Sequence, residues 1–591
     1  MIKKSSLHAC MRRLNAFIKR HWKGLLVISI VTTVFFWPVI IRAGSYSEGG
    51  DAMFNAWTLA RDQHCVLRQG CPNYNNSNIY FPHKDSMLYS ETQLSAGVIT
   101  LPLYAINHNP IFSYNIWTII SCLFSGVFMY LLAMYLSKGN RLFSVFAGLI
   151  FEFAPFKMAG LGHLQNLSIF CLPLAILLIL KFFELRTKKY LWLLLMVLVY
   201  QFYASWYQMV FALIAIGVFL LMYLVLRLVT LRQVFAVSLV VVLAVISTAP
   251  LAKNYIRFSK ENNASFGIVD QTMFSSSVID YLIPHNGTVE GHFYYSLRKH
   301  ARINAYNLDS YSYAGVVMYA VAAFVTITAV IKLFKQKAKK MDKEVLAFFV
   351  VGLFGLIASF GPLLKIRGNY TYNGLIRGLY LAIPMPYLII DKLVPQLHFI
   401  RAVGRISVLF LFALCCLLAY LPFYLKRTGL NKRWQLVVQM VVVFFLIFEL
   451  MPTRMLIISP YSYAYGHTVP AVYQYIKDHN EVSSLVILRS NNDYPKAPIP
   501  VVRAEDVLWA GYHNKSIFNG YSGYEPPEYG KQYADFVDFH PDDIQKLRDL
   551  GVRYVLVDKL LSPSQSGLLS AVSSALPNKV YEDGRYALYK L

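Results

Sequence analysis

"GLLVISIVTTVFFWPVIIRAGSYSEGGDAMFNAW", residues 24–57, joins an uncharged apolar run to an acid that follows two glycines. The run at 24–41 is long enough for a helix to cross hydrocarbon. Lys3, Lys4, Arg12, Arg13, Lys19, Arg20 and Lys23 precede it, and that excess of positive charge keeps the N-terminus in the cytoplasm. Nothing clean for signal peptidase follows, so the run reads as an uncleaved anchor. The acid, Asp51, then stands just beyond the membrane at the start of a helical pattern in which Met53, Trp57 and Ala60 share one face.

Composition extends this reading to the whole chain. With 591 residues, 56% of them hydrophobic and 15% charged, and a mean hydropathy of +0.45, the chain carries more apolar surface than a soluble core could hide. It is expected to be a polytopic α-helical membrane protein. A formal net charge of +25 would suggest nucleic acid in a soluble protein, but here lysine and arginine mark cytoplasmic loops, and no nucleic-acid partner is expected. Further apolar segments at 111–136, 142–158, 167–185, 190–206, 208–226, 233–251, 313–333, 345–364, 404–425 and 435–452 bring the count to about eleven spans.

The connections test that count. "SKGNR", "ELRTKK", residues 227–232, "KLFKQKAKKMDK" and "KRTGLNKR" all fall on the cytoplasmic side when every span is accepted. The same alternation places 42–110, 252–312, 365–403 and everything after about 453 outside. Around "QFYASWYQM" the segments 190–206 and 208–226 are either two spans joined by a tight hairpin or one bent helix. The apolar piece 374–395, which contains "PMP", is expected to be re-entrant or interfacial. Beyond "MPTR" hydrophobicity falls, and strand candidates ("SSLVIL", "RYVLVD") alternate with helix candidates ("AVYQYIKDHN", "PDDIQKLRDLG"). This predicts two domains: a transmembrane domain over 1–452, with its first outer loop at 42–110, and a small extracytoplasmic α/β domain over 453–591. Pro541, Asp542 and Asp543 suit a helix start, and Gly551 its end.

The outer segments hold the candidate chemistry. Asp51 has two compatible readings, a helix N-cap and a proton acceptor. In "YSETQ", Ser90 and Gln93 have capping-box spacing, which leaves Glu91 free to face a cavity or solvent. His163 and Gln165 in "GLGHLQN" place polar groups where an acyl chain would not want them, either as hydrogen-bonded filler or as ligands. No second histidine or acid at helical spacing supports a metal there. Of the outer cations Lys157, Lys253, Arg257, Arg377, Arg401 and Arg405, the last two stand four apart in "FIRAVGR" and are expected to share one helical face, where guanidiniums fork onto phosphate oxygens. Their alternative role is snorkelling to lipid headgroups. Cys65 and Cys71 lie in the oxidising compartment, where a disulfide is open to them.

The order of an N-terminal anchor, "GGDAMFNAW", "NIYFP", "LYSE" and "FEFAPFKMAGLGHLQ" resembles bacterial integral-membrane glycosyltransferases of the GT-C class, relatives of the polyprenyl-phosphate-sugar dependent mannosyl and arabinosyl transferases. The resemblance covers most of 40–185, with weaker echoes in "IRAVGRISVL", "NGYSGYEPP" and "LRDLGVRYVLV". It implies an inner-membrane enzyme that moves a sugar from a polyprenyl-phosphate donor to a glycan, lipid or protein acceptor. In that class an acid of the first outer loop acts on the acceptor, and Asp51 is the matching position. The resemblance also favours cavity-lining roles for His163 and Gln165.

One carboxylate suffices for an inverting displacement, whereas retention would call for a second, nucleophilic group. Some relatives carry paired acids where this chain has Glu48 three residues before Asp51, which leaves open the role of Glu48 and that of a divalent metal. No nucleotide fingerprint occurs, in keeping with a lipid-linked donor. Two rivals are a transporter or flippase of lipid-linked glycans and a non-catalytic scaffold with a glycan-binding outer domain. The former predicts paired intramembrane charges and repeated halves; the acids deep in apolar runs are Glu152 and Glu449.

Overall fold

A computed structural model describes residues 4–45, 50–67, 71, 73–284, 288, 290–291, 312–373, 380–393, 398–450, 469–488, 499–526, 528–537, 539–559 and 566–591. Each of the eleven expected spans coincides with a helix. Seven are long and apolar enough to cross a membrane: Phe17–Ile40, Pro110–Leu136, Leu164–Leu185, Trp206–Val225, Val316–Phe334, Val403–Leu425 and Lys432–Leu450. An eighth results if Leu231–Ser247 and Ala249–Asn262, bent by 60°, count as one span. Arg141–Phe153 and Lys189–Ala204 are shorter, and Lys340–Ser359 carries charge in its first turns, so the count of eleven rests on helices, not on full-length spans.

Local chemistry explains where the helices begin. Asn109 accepts from Phe112 N at 3.0 Å with Pro110 in the first turn, and Asn140 accepts from Phe143 N at 3.1 Å; both are side-chain caps for N–H groups that a helix start leaves orphaned. The ambiguous stretch at 190–226 is two helices, separated at Ser205, whose extended backbone breaks the run and whose Oγ accepts from Gln208 N. Val403–Leu425 is the central span, 89% buried. Gly352 and Gly355 let Lys340–Ser359 approach it, since a Cβ on either would come 2.6 Å from the Cβ of Ala413 or Leu409. Of the 374–395 piece the structure describes 380–393, where Tyr380–Leu381 pairs antiparallel with the preceding Tyr372–Asn373 and Tyr387–Leu393 forms a helix too short to span.

The expected C-terminal α/β unit is present. Its sheet comprises β1 (Ser484–Leu488), β2 (Ser516–Ile517), β3 (Tyr554–Asp558), β4 (Lys579–Glu582) and β5 (Tyr586–Lys590), in the order β2-β1-β3-β5-β4. The first three are parallel, and β5 is antiparallel to both β3 and β4. Strands β1 and β3 are wholly buried, as continuous apolar runs in a covered parallel sheet must be. Helix Asp543–Asp549 follows Pro541 as expected, and Asp543 accepts from His540 N at 2.7 Å. The domain boundary near 453 lies outside the described residues.

The two parts are stitched through the first loop. The loop helix, Asp51–Leu67, packs on the helices Leu94–Asn107 and Pro110–Leu136 on one side and on the docking helix, Ile499–His513, on the other. Trp57 Nε1 donates to Asn78 Oδ1 at 3.0 Å, and Asn78 Nδ2 donates to the carbonyls of Ala510 and Lys515. Residues 78–81 run along β2, with Ile517 N on Asn78 O, Phe81 N on Ile517 O and Tyr80 N on Asn519 O. Cys65 and Cys71 form a disulfide at the end of the loop helix.

Close helix approach at Gly511 yields a prediction. A Cβ there would meet Trp57 Cδ1 at 3.1 Å, whereas one at Gly584 meets nothing within 4 Å. Gly511→Val is expected to lose about 1–3 kcal/mol of stability and Gly584→Ala less than about 0.5 kcal/mol, as read by thermal unfolding in detergent.

Candidate functional site

Asp51 is the first residue of the loop helix, and Gly50, at φ +67°, receives Met53 N and Phe54 N on its carbonyl. Positive φ at this junction is what glycine supplies. The carboxylate does not act as the expected N-cap. Its Oδ1 accepts from the hydroxyl of Tyr521 at 2.7 Å, and its Oδ2 lies 3.6 Å from His163 Nε2. The side chain is still 44% exposed, so it is held in place yet reachable by a substrate. Burial, and then the neighbouring Asp51 carboxylate, pushes the Tyr521 hydroxyl well above the usual phenol range, so it remains a donor.

Tyr521 was missed in the sequence, where "NGYSGYEPP" carried only an echo. Its position is set two residues earlier. Asn519 bonds Ile487 of β1 in both directions, accepting its N–H at 2.7 Å and donating to its carbonyl at 2.9 Å. The sheet thereby fixes the turn that delivers Tyr521 across to Asp51.

Beneath Asp51 lies a buried amide cluster. Asn55 Nδ2 donates to the carbonyls of Asp51 and Gly162, at 2.7 and 3.0 Å, tying the start of the loop helix to the His163 loop. Gln93 Nε2 donates to Asn55 Oδ1 at 3.0 Å and to Gln165 Oε1 at 3.3 Å. Asp51, His163 and Gln165 are therefore brought together. The expected Ser90–Gln93 capping box does not form: Gln93 turns inward to this cluster, and the carbonyl of Ser90 accepts from Tyr255. Buried amides are costly unless bonded, and the cluster offered a better set of partners than a helix end.

Glu91 is not free either. Its Oε1 accepts from Trp206 N at 2.7 Å, Tyr207 N at 3.1 Å and Ser205 Oγ at 3.2 Å. It caps the Trp206–Val225 span from a distance in sequence that spacing cannot reveal. Burial raises its pKa, opposed by these bonds and by Arg405. Arg405 is 7% exposed and its guanidinium lies 5.6 Å from the Tyr207 ring centroid. Arg401 precedes the 3₁₀ turn Val403–Ser407 that holds Arg405, so the two do not share a helical face as expected. They meet around Tyr207 instead, whose hydroxyl accepts from Arg401 N at 2.8 Å, and Arg401 also acts electrostatically on Tyr521.

Ile400, Val403 and Ile406, the sequence neighbours of these arginines, line a tight apolar crevice of about 10 Å³ with Phe211, Ile214, Phe354 and Tyr387. Lys157, expected at a membrane mouth, is buried and bonds Ser125. Arg257 pairs with Asp85 at 3.0 Å, while Lys253 is exposed. Arg377 and Glu48 lie outside the described residues. Among the described residues no three histidine, cysteine or acidic side chains stand together as a metal cluster.

No protein-family model and no curated protein matches the sequence. Its fold is similar to the arabinofuranosyltransferase AftD from Mycobacteria, at 14% identity and a TM-score of 0.58, over 97% of this chain and 40% of that one. It is also similar to the Archaeoglobus fulgidus oligosaccharyltransferase with a tethered acceptor peptide, at 10% identity and a TM-score of 0.51, over 92% of this chain and 70% of that one. The chain thus spans about two fifths of the arabinofuranosyltransferase's length. The fold is that of GT-C membrane glycosyltransferases, as the sequence resemblance implied.

Asp62, on the loop helix, supplies a pH test. It is fully buried, accepts from Tyr74 at 2.6 Å and from Gln93 N at 3.0 Å, and burial lifts its pKa to about 7. Between about pH 4 and 7 the folded chain keeps a proton that the unfolded chain has released, so stability falls as pH rises through that window. The unfolding free energy of wild type relative to Asp62→Asn is expected to drop by a few kcal/mol from pH 4 to 7 and then level. A difference independent of pH would contradict the shift.

Proposed function

We propose that this chain is a membrane glycosyltransferase that moves a sugar from a polyprenyl-phosphate donor to an extracytoplasmic glycan, lipid or protein, by inversion at the anomeric carbon. The observation that carries the proposal is a reachable carboxylate, Asp51, held by Tyr521 and His163, with Arg401 near enough to act electrostatically on Tyr521 and Arg405 on the Tyr207 ring. Asp51 takes the proton of the acceptor hydroxyl as its oxygen attacks the anomeric carbon. The bond from that carbon to the donor phosphate breaks, and the departing phosphate keeps the electron pair. Arg401 and Arg405 meet the charge that develops there, and the prenyl chain lies along Phe211 and Ile406. Gln165 and His163 orient the sugar or acceptor. Glu91 acts by supporting Tyr207 and Arg405, not by touching substrate.

In this proposal the enzyme sits in the inner membrane with its basic connections in the cytoplasm and its sheet outside. Asp51 and His163 would furnish two ligands if a divalent ion takes part, and a chelator in the assay reads that dependence. The flippase alternative would draw on intramembrane acids, but Glu152 is bonded by Thr32 at 2.6 Å and Glu449 accepts from Val317 N. Glu449 is a structural partner through both oxygens, whereas Glu152 is bonded through Oε1 and its buried Oε2 has no hydrogen-bond partner among the described residues.

Asp51→Asn keeps an acceptor for Tyr521 while removing the base. Mass spectrometry of envelope glycans, comparing a deletion strain complemented with wild type or with the variant, should show product falling about 10²–10⁴-fold with thermal stability unchanged. Unchanged product would favour the flippase or scaffold alternatives.

A further inference from the structure

Arg401 belongs to a four-residue segment, 398–401, that is fastened at every position. His398 Nε2 lies 3.0 Å from Oδ2 of Asp391, on the helix Tyr387–Leu393, and the carbonyl of His398 accepts from Phe266 N at 2.9 Å. The carbonyl of Phe399 accepts from the Tyr207 hydroxyl at 3.4 Å, and that of Ile400 from Gln271 Nε2 at 3.3 Å. Arg401 N donates back to Tyr207 at 2.8 Å. Gln271 Nε2 also reaches Asp391 Oδ1 at 3.2 Å, so carboxylate, amide and imidazole form one unit behind the segment.

The unit is asymmetric in a telling way. Asp391's side chain is 5% exposed and His398's 44%. A carboxylate taken out of water is tolerated where its oxygens are bonded, and here both are, by groups whose effect is to hold the segment. The guanidinium at its end rests on Phe274 and Phe266, at 4.5 and 5.5 Å from the ring centroids, and makes no ion pair among the described residues. Aromatic faces hold the plane of a guanidinium without neutralising its charge. The same stretch walls the apolar crevice, through Tyr387, Ile390 and Ile400. The Arg401 charge and the wall of the apolar crevice are therefore anchored to one support.

We propose that Asp391 and His398 are positioning residues that preset the Arg401 segment over the crevice, so that affinity for the donor's lipid phosphate depends on them while the proton transfer at Asp51 does not. Presetting removes an ordering cost that binding would otherwise meet. The inference rests on the reading of Arg401 as a phosphate ligand, and the experiment separates the two.

The full chain in detergent is titrated with farnesyl phosphate and, as a probe lacking phosphate, farnesol. His398→Ala and Asp391→Asn are expected to weaken farnesyl phosphate about tenfold and leave farnesol within about twofold. His398→Gln, whose amide nitrogen can still donate to Asp391, should stay close to wild type, and Arg401→Gln should weaken farnesyl phosphate at least as much as His398→Ala. In a transfer assay His398→Ala should raise KM for the donor and leave kcat in place. If Arg401→Gln weakens farnesyl phosphate and the Asp391 and His398 variants do not, the positioning role is overturned and the phosphate reading stands. If Arg401→Gln has no effect, the phosphate reading falls and takes this inference with it. Equal weakening of farnesol and farnesyl phosphate by His398→Ala would mark general loosening and also overturn the positioning role.

Discussion

One short helix has to satisfy two bodies at once. Asp51–Leu67 is held to its neighbouring helices through Asn55, Asp62 and Gln93 and to the C-terminal unit through Trp57 and its close contact with Gly511 of the docking helix. Asn55, Gln93 and Asp62 are each at most 3% exposed, so every hydrogen bond left unmade among them costs about 1–3 kcal/mol. That penalty makes the arrangement specific. The helix cannot slide by a residue without stranding an amide, and Asp51 at its first position inherits the precision of the whole cluster.

The sheet therefore contributes more than a cover. Asn519 transmits the register of β1 to the turn that carries Tyr521, and residues 78–81 extend the pairing at β2 from the first loop. A carboxylate close to the membrane thus receives a phenol from the far end of the chain, 470 residues away in sequence. The guanidinium side is built differently. There Tyr207 gathers Glu91, Arg401 and Arg405 at the start of one span, combining a helix N-terminus with a counter-charge. The two sides meet through Tyr521, which hydrogen-bonds Asp51 and feels Arg401.

How much of this was legible in the sequence follows from which forces are local. Apolar runs specify helices within themselves, so all eleven segments were found as helices; whether Arg141–Phe153 or Lys189–Ala204 crosses the bilayer depends on length and tilt, which hydropathy does not fix. The strands "SSLVIL" and "RYVLVD" were legible as short runs with continuous apolar centres, LVIL and YVLV. The Cys65–Cys71 bridge was open at its spacing, and the structure closes it. Side-chain assignments fared less evenly. Asp51, His163 and Gln165 come together as their outer position suggested. Glu91, Gln93 and Arg401 were misplaced because each has a partner from a distant segment that competes successfully with a local cap or a helical stripe. Tyr207 carried no local signal and Tyr521 only the echo in "NGYSGYEPP", since a tyrosine in an aromatic-rich chain reads as filler until its neighbours are known.

The central claim is that an acid at the membrane edge shares one hollow with a lipid phosphate. A cryo-electron microscopy structure of the chain with a bound prenyl phosphate tests it most directly. The account predicts phosphate density between the guanidiniums of Arg401 and Arg405, a chain descending along Phe211 and Ile406, and the Asp51 carboxylate facing the phosphate from the side of Tyr521. Phosphate bound elsewhere, with those guanidiniums engaged by the protein's own carboxylates and the crevice closed, would contradict it.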